Sequence, residues 1–162
     1  MDLGYWLPLF FAGAMGLALL IYVVLDGYDL GIGLLLPFAN EEEKDVMVAS
    51  IGPFWDANET WIVLGVGILL IAFPQAHGLV LTALYLPVTL MLMGLILRGV
   101  SFDFRVKAGD KHKAKWNALF ALGSLVASVS QGGMLCGFVS CLNGEAPRPL
   151  FSLLVTLCPA PH

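Results

Sequence analysis

Between Leu7 and Leu25 the chain carries no charged side chain, and three further runs of the same kind follow, Ile62–Phe73, Leu79–Leu97 and roughly Ala118–Leu142. A helix rises about 1.5 Å per residue and the hydrocarbon core of a bilayer is about 30 Å thick, so roughly 20 residues make one crossing. Four crossings with short links nearly exhaust the 162 residues. Composition agrees: 59% of the residues are hydrophobic and 12% charged, against roughly 45–50% and about 25% in soluble domains. With a mean hydropathy of +0.86, the expected fold class is all-α, a polytopic transmembrane bundle of about four spanning helices. It forms one membrane domain over residues 1–142.

No Lys or Arg precedes Lys44, and no small-residue cleavage site follows the first apolar run. A secretory signal peptide would carry both, so the first helix is expected to be kept. A net charge of -4 argues against a nucleic-acid partner, and lipid is the expected surrounding. Cys136, Cys141 and Cys158 form no Cys-x-x-Cys pair and read as small packing residues.

The first run meets Asp26-Gly27-Tyr28-Asp29 and resumes from Leu30 to Ala39, ahead of Glu41-Glu42-Glu43. It is too long for one perpendicular crossing. Either the helix tilts past the membrane surface, or the two aspartates sit at membrane depth facing protein. The second run alone covers about 18 Å, so its helix must start earlier. Starting it at Pro53, a natural first-turn residue, draws Trp55, Asp56, Asn58, Glu59 and Trp61 into the span. The third run contains Pro87, which predicts a kink, and stops at Arg98, with Pro74–Gly78 as the short link before it. The fourth is rich in Gly and Ser (Gly123, Ser124, Ser128, Ser130, Gly132, Gly133, Gly137), which predicts close helix packing.

Six of the eight Lys and Arg (Arg98, Arg105, Lys107, Lys111, Lys113, Lys115) fall between the third and fourth runs. The positive-inside rule makes that loop cytoplasmic, which puts the N-terminus outside and Asp56 and Glu59 toward the cytoplasmic end of the second helix.

Carboxylates inside a membrane are costly and mark proton or ion routes, or pairs with a cation. Asp26, Asp29, Asp56, Glu59 and Asp103 are the candidates. Asp26 and Asp29, like Asp56 and Glu59, are three apart and share a helix face. Two carboxylates that close in a low dielectric do not both carry charge cheaply, so such a pair can accept and release protons or hold a cation. The plainer reading sets them at the interface, solvated or capping a helix end, with Asp103 in a local salt bridge to Arg98 or Arg105. His77, His112 and His162 all fall outside the runs, and Met91, Met93 and Met134 read as core, so a redox centre is expected in another chain.

Asp26-Gly27-Tyr28-Asp29-Leu30-Gly31, Pro53-Phe54-Trp55-Asp56-Ala57-Asn58-Glu59-Thr60-Trp61 and Arg98-Gly99-Val100-Ser101-Phe102-Asp103-Phe104-Arg105 stand in a fixed order, with Gln131-Gly132 beyond them. In that order and spacing they resemble subunit II of the bacterial cytochrome bd-type quinol oxidases, including the cyanide-insensitive branch. The resemblance covers most of residues 5–135. It implies a non-catalytic partner of a haem-bearing subunit I, in a multi-pass complex of the bacterial inner membrane that oxidises quinol and reduces dioxygen to water. Haem b and haem d, or b-type haems, would reside in subunit I, and some members hold a structural quinone. The positions matching Asp56 and Asp103 would line a cytoplasmic proton-entry route, with Glu59, Asp29 and Asp26 as further candidates. Gly27, Gly31, Trp55, Asn58, Trp61, Arg98 and Arg105 would be structural motif positions.

Family members continue with a second set of helices, whereas residues 143–162 read here as an atypical or truncated tail, with Leu150–Leu157 too short for a fifth crossing. Two other functions remain open on the residues alone: a proton- or cation-coupled transporter fragment, for which inverted repeats would be expected, or a truncated, non-functional membrane subunit that only docks onto a partner.

Overall fold

The computed structural model describes residues 3–142, so the tail from residue 143 onward lies outside the described residues. Those residues form six α-helices: α1 (Leu3–Leu35), α2 (Glu41–Ile51), α3 (Trp55–Ala72), α4 (Pro74–Ala83), α5 (Tyr85–Lys107) and α6 (Asp110–Leu142). Four segments are long and apolar enough to cross a membrane: Leu3–Phe38, Trp55–Ala72, Tyr85–Lys107 and His112–Val139. The chain divides into two compact units between Gly78 and Leu79.

In the first unit α1 runs without interruption through Asp26-Gly27-Tyr28-Asp29. Its 33 residues span about 50 Å. Ala18, Tyr22, Asp26, Asp29 and Gly33 are buried, and their spacing of three or four puts them on one stripe. Of the two alternatives for the aspartates, the structure takes the one in which they face protein. Pro37 then ends the α-helix in a single 3-10 turn, Leu36–Phe38, because its ring has no N–H and collides with the carbonyl four residues back.

α2 opens with the Asn40 backbone N–H donating to Glu43 Oε2 at 2.8 Å, which supplies a donor's missing partner at the helix start. Its buried residues are Val48 and Ile51, while its acidic first turn is exposed. α3 starts at Trp55 rather than at Pro53, since Gly52, Pro53 and Phe54 form a turn. The Asn58 N–H donates to Phe54 O at 2.9 Å and closes the first turn of α3. The span still includes Asp56, Asn58, Glu59 and Trp61, as its length requires. Asn58 and Gly65, two turns apart, are the buried residues of α3. A Cβ on Gly65 would come within 2.9 Å of Leu19 Cδ2. Leu19 meets Gly65 while Asp29 meets Asn58, so α1 and α3 run antiparallel.

Pro74–Gly78, expected as a link, is the start of α4 instead. Proline at the first helical position loses no bond that the helix would have made. Pro87 does not kink a long helix in its middle. The chain breaks at Leu84 (φ −104°, ψ 20°) and restarts at Tyr85, which removes the clash of Pro87 with the carbonyl of Ala83 and leaves the proline in a first turn.

The second unit is the α5–α6 hairpin. α5 continues nine residues past Arg98 to Lys107 and α6 begins at Asp110. The expected basic loop is therefore mostly helix, and the link shrinks to Ala108–Gly109. The two backbones touch: a Cβ on Gly94 would lie 2.8 Å from Ala127 N, and one on Gly123 would lie 2.8 Å from Arg98 N and from Gly94 O. Small residues permit this approach where lipid offers no hydrophobic drive for helix association. Phe102 and Phe120 fill the space one layer nearer the link, ring centroids 6.2 Å apart.

Among the described residues polar side chains are buried beside apolar ones, while many large apolar side chains are exposed. Asp26, Asp29, Asn58, Arg98, Ser101, Arg105, Asn117, Ser124 and Ser130 are buried, while Leu20, Val23, Val24, Val63, Ile71, Leu92, Ile96 and Val129 are exposed. A hydrocarbon surrounding makes that arrangement favourable, because it cannot hydrogen-bond to polar groups.

Candidate functional site

Each unit buries a polar cluster. In the first, helical periodicity turns Asp26 and Asp29 to the same buried face of α1, at 0% and 1% exposure. Asn58, held on α3 one turn past its start, donates from Nδ2 to Asp29 Oδ2 at 2.9 Å. The bond joins residues on two helices and is buried, so it fixes the register of the hairpin at this level. A hydrogen bond contributes about 0.5–1.5 kcal/mol net, and more where one partner is charged. Two carboxyl groups on one buried face can take up and hand on a proton, or hold a cation.

Asp56 and Glu59 part company. Asp56 is exposed in the first turn of α3, where the unpaired N–H groups and the helix dipole favour a carboxylate. Glu59, three residues on, is half-buried. Trp55 and Trp61 are half-buried on either side of them. Gly27 is exposed and Gly31 half-buried, and a Cβ on either would meet nothing within 4 Å.

In the second unit Arg98, Ser101, Phe102 and Arg105 are buried on one face of α5. Opposite them on α6 stand Asn117, Phe120, Ser124 and Ala127. Arg105 Nε donates to Asn117 Oδ1. The hydroxyls turn back on their own helices: Ser101 donates to Leu97 O at 2.6 Å and Ser124 to Phe120 O at 2.9 Å. Asn117 Nδ2 is buried and finds no acceptor among the described residues.

Asp103 is exposed on α5, away from the Arg98–Arg105 face, and makes no ion pair among the described residues. The expected local salt bridge is therefore absent there. Arg98 and Asp103 differ by five residues, about 140° around a helix, so a loop reading lets them meet where a helix does not. Asn117, Phe104 and Trp116 were missed by sequence reasoning. For Asn117 a signal was present, since 117, 120, 124 and 127 step by three or four, as do 98, 102 and 98, 101, 105 on the facing helix, but the charges in between hid the periodicity; Phe104 and Trp116 lie outside both series. His77 is half-buried on α4 and His112 exposed on α6. The described residues bring together no group of three or more His, Cys, Asp or Glu side chains that could hold a metal ion.

The family described as cytochrome bd terminal oxidase subunit II matches residues 7–159, which includes the segment beyond Leu142. The cytochrome bd ubiquinol oxidase subunit 2 of Bacillus subtilis is 39% identical over 108 residues, covering 65% of this chain and 32% of that protein. The cytochrome bd-I ubiquinol oxidase subunit 2 of Escherichia coli K12 is 33% identical over 130 residues, covering 76% of this chain and 34% of that protein. A probable cytochrome oxidase subunit 2 of Haemophilus influenzae is 33% identical over 123 residues, covering 72% of this chain and 32% of that protein. The chain thus spans about a third of the length of the relatives it matches. The ordered motifs, the four membrane-length helices and the match over most of its length place one conclusion beyond the fold class: the chain belongs to subunit II of the cytochrome bd terminal oxidases, a family of integral inner-membrane proteins.

Proposed function

We propose that this chain serves as part of the haem-free second subunit of a bd-type quinol oxidase, supporting a haem-bearing subunit I and contributing polar groups to proton entry from the cytoplasm. The observation that carries the reading is the family match over residues 7–159, joined to relatives whose names specify a ubiquinol oxidase. Haem b and haem d, or b-type haems, reside in subunit I and supply the redox chemistry. Quinol reaches the complex rather than this chain, and a structural quinone is a further candidate component.

Reduction of dioxygen to water consumes protons, and drawing them from the cytoplasm generates a membrane potential. This chain's part in that is to accept and release protons at carboxyl oxygens. Six of its eight basic residues lie between Arg98 and Lys115, which supports placing that end in the cytoplasm and the N-terminus outside. Asp56 and Asp103 are then the entry candidates, with Glu59 further along α3. Asp26 and Asp29, buried beside Asn58, are the inner carriers.

The test is to co-express this chain with subunit I, purify through a tag on this chain, and record reduced-minus-oxidised spectra with quinol-dependent oxygen uptake. Haem bands and turnover in the purified material are expected. Asp56→Asn is expected to lower oxygen consumption and slow proton uptake several-fold while haem content stays intact. Wild-type turnover and proton uptake in that variant would end the proton-entry role, and purification without any haem partner would end the subunit role for this length of chain.

A further inference from the structure

At the link end of the second unit two aromatic rings lie flat against each other. Phe104 of α5 and Trp116 of α6 stack with centroids 4.9 Å apart and planes 13° from parallel. Phe104 is 52% exposed, so the stack presents a ring to the outside of the hairpin. Elsewhere on the seam the helix contact is made by Phe102, Phe120 and the glycines.

Basic groups border the stack on its polar side. Lys107 follows Phe104 by three residues and His112 precedes Trp116 by four, so each shares a helix face with its ring. Lys107, His112 and Lys115 are exposed. The link between the helices is short: Ala108 N–H donates to Arg105 O at 3.2 Å and His112 N–H to Gly109 O at 2.9 Å. That tight reversal brings the last turn of α5 and the first turns of α6 to one level. Each of these helices is long and apolar enough to cross a membrane, and their uncharged runs stop at Leu97 and resume near Ala118, so Phe104 and Trp116 lie just beyond those runs. The exposed aromatic plate and the cationic donors therefore sit together at the interfacial level, where aromatic rings meet headgroups and the upper carbons of acyl chains.

We propose that this end of the α5–α6 hairpin is a binding site for an anionic phospholipid, with an acyl chain lying along the Phe104–Trp116 stack and the phosphate held by Lys107 and Lys115, His112 adding a donor. The charge selects the occupant. A zwitterionic lipid offers the same phosphate together with a choline that the lysines repel, whereas a phosphatidylglycerol headgroup has no such cation. A basic residue near an anionic surface contributes about 1 kcal/mol, a factor of about five. The site uses residues of the second unit alone and does not depend on the oxidase reading.

Bromine on a lipid acyl chain quenches a neighbouring tryptophan, which gives the test. The full chain, in mixed micelles of neutral detergent, is titrated with dibrominated phosphatidylglycerol or dibrominated phosphatidylcholine of the same chains. The contribution of Trp116 is taken as the difference between the parent chain and Trp116→Phe. At low salt, quenching of Trp116 is expected to reach half-saturation at least about fivefold lower in phosphatidylglycerol. Lys107→Gln with Lys115→Gln should abolish that preference while leaving quenching of the remaining tryptophans unchanged. Equal quenching by the two lipids, or a preference that survives removal of both lysines, would overturn the proposal. So would a Trp116 that neither lipid quenches, since polypeptide rather than lipid would then cover the stack.

Discussion

The two hairpins solve the same problem, holding two helices together in hydrocarbon, by different contacts. α1 and α3 meet through side chains: Leu19 over Gly65, and Asp29 bonded to Asn58. α5 and α6 meet through backbone, with Gly94 and Gly123 so close to the facing main chain that neither has room for a methyl group. The apolar windows differ accordingly, 11% and 6% of residues buried in α1 and α3 against 39% and 28% in α5 and α6. Side-chain contact can adjust by a rotamer, whereas backbone contact cannot. The first hairpin is thus the more compliant and carries buried carboxylates, and the second is the more rigid and carries buried arginines.

The comparison breaks most directly at the glycines of the second hairpin. Gly123→Val places atoms where Arg98 N and Gly94 O already stand, and with no rotamer to relieve the clash the cost should reach about 3 kcal/mol or more. In detergent the variant should lose most of its cooperative thermal transition, read by circular dichroism. Survival of the wild-type transition would mean the backbones are not in contact.

Next in size is the polar bond of the first hairpin. Asn58→Leu removes the donor to Asp29 and leaves a buried acceptor without it, a cost of about 1–3 kcal/mol. Thermal melting should fall, with less effect from Asn58→Asp at a pH low enough to keep the new carboxyl protonated, because a protonated oxygen can still donate. If Asn58→Leu melts like the parent, the bond does not hold the hairpin.

A smaller effect is expected from Gly65→Ala. Its new methyl meets only the Leu19 side chain, at Cδ2 and Cγ, which can shift at about 0.5–1.5 kcal/mol. The contrast with Gly123→Ala, where backbone is the obstacle, is the sharpest form of the comparison. Equal losses at the two positions would erase it.

The smallest expected change is at α2. Lys44 Nζ lies 2.7 Å from Oε1 of the exposed Glu41, three residues earlier, and helix pairs at this spacing contribute about 0.2–0.5 kcal/mol. Lys44→Gln should leave the melting curve within error at moderate salt.

The legible part of the fold was its helical class and its four crossings, because length and apolar runs answer directly to the thickness of the bilayer. Helix boundaries near charge were read less well. The rising count of charges marks Arg98 and Arg105 as loop residues, yet both are buried in α5. Polarity marks a loop only when the polar group faces water, and an arginine can face a neighbouring helix instead. Pro74 and Pro53 misled in opposite ways, one starting a helix where a link was expected and the other standing two residues ahead of its helix. The candidate carboxylates were all named from the sequence. Which of them are buried was not, and the order came out differently: Asp26 and Asp29 are buried while Asp56 and Asp103 are exposed.

By itself the sequence determined that the chain crosses a membrane about four times and belongs among oxidase subunits of one kind, because hydrophobic length and ordered motifs are properties of the linear chain. The tertiary structure alone decided that Asp29 bonds Asn58, that Arg105 bonds Asn117, and that Phe104 stacks on Trp116. Those pairings depend on the rotation of one helix against another. In the second hairpin that rotation is set by which small residues let two backbones touch, and in the first by which side chains meet; either is a property of two surfaces together that neither helix carries alone.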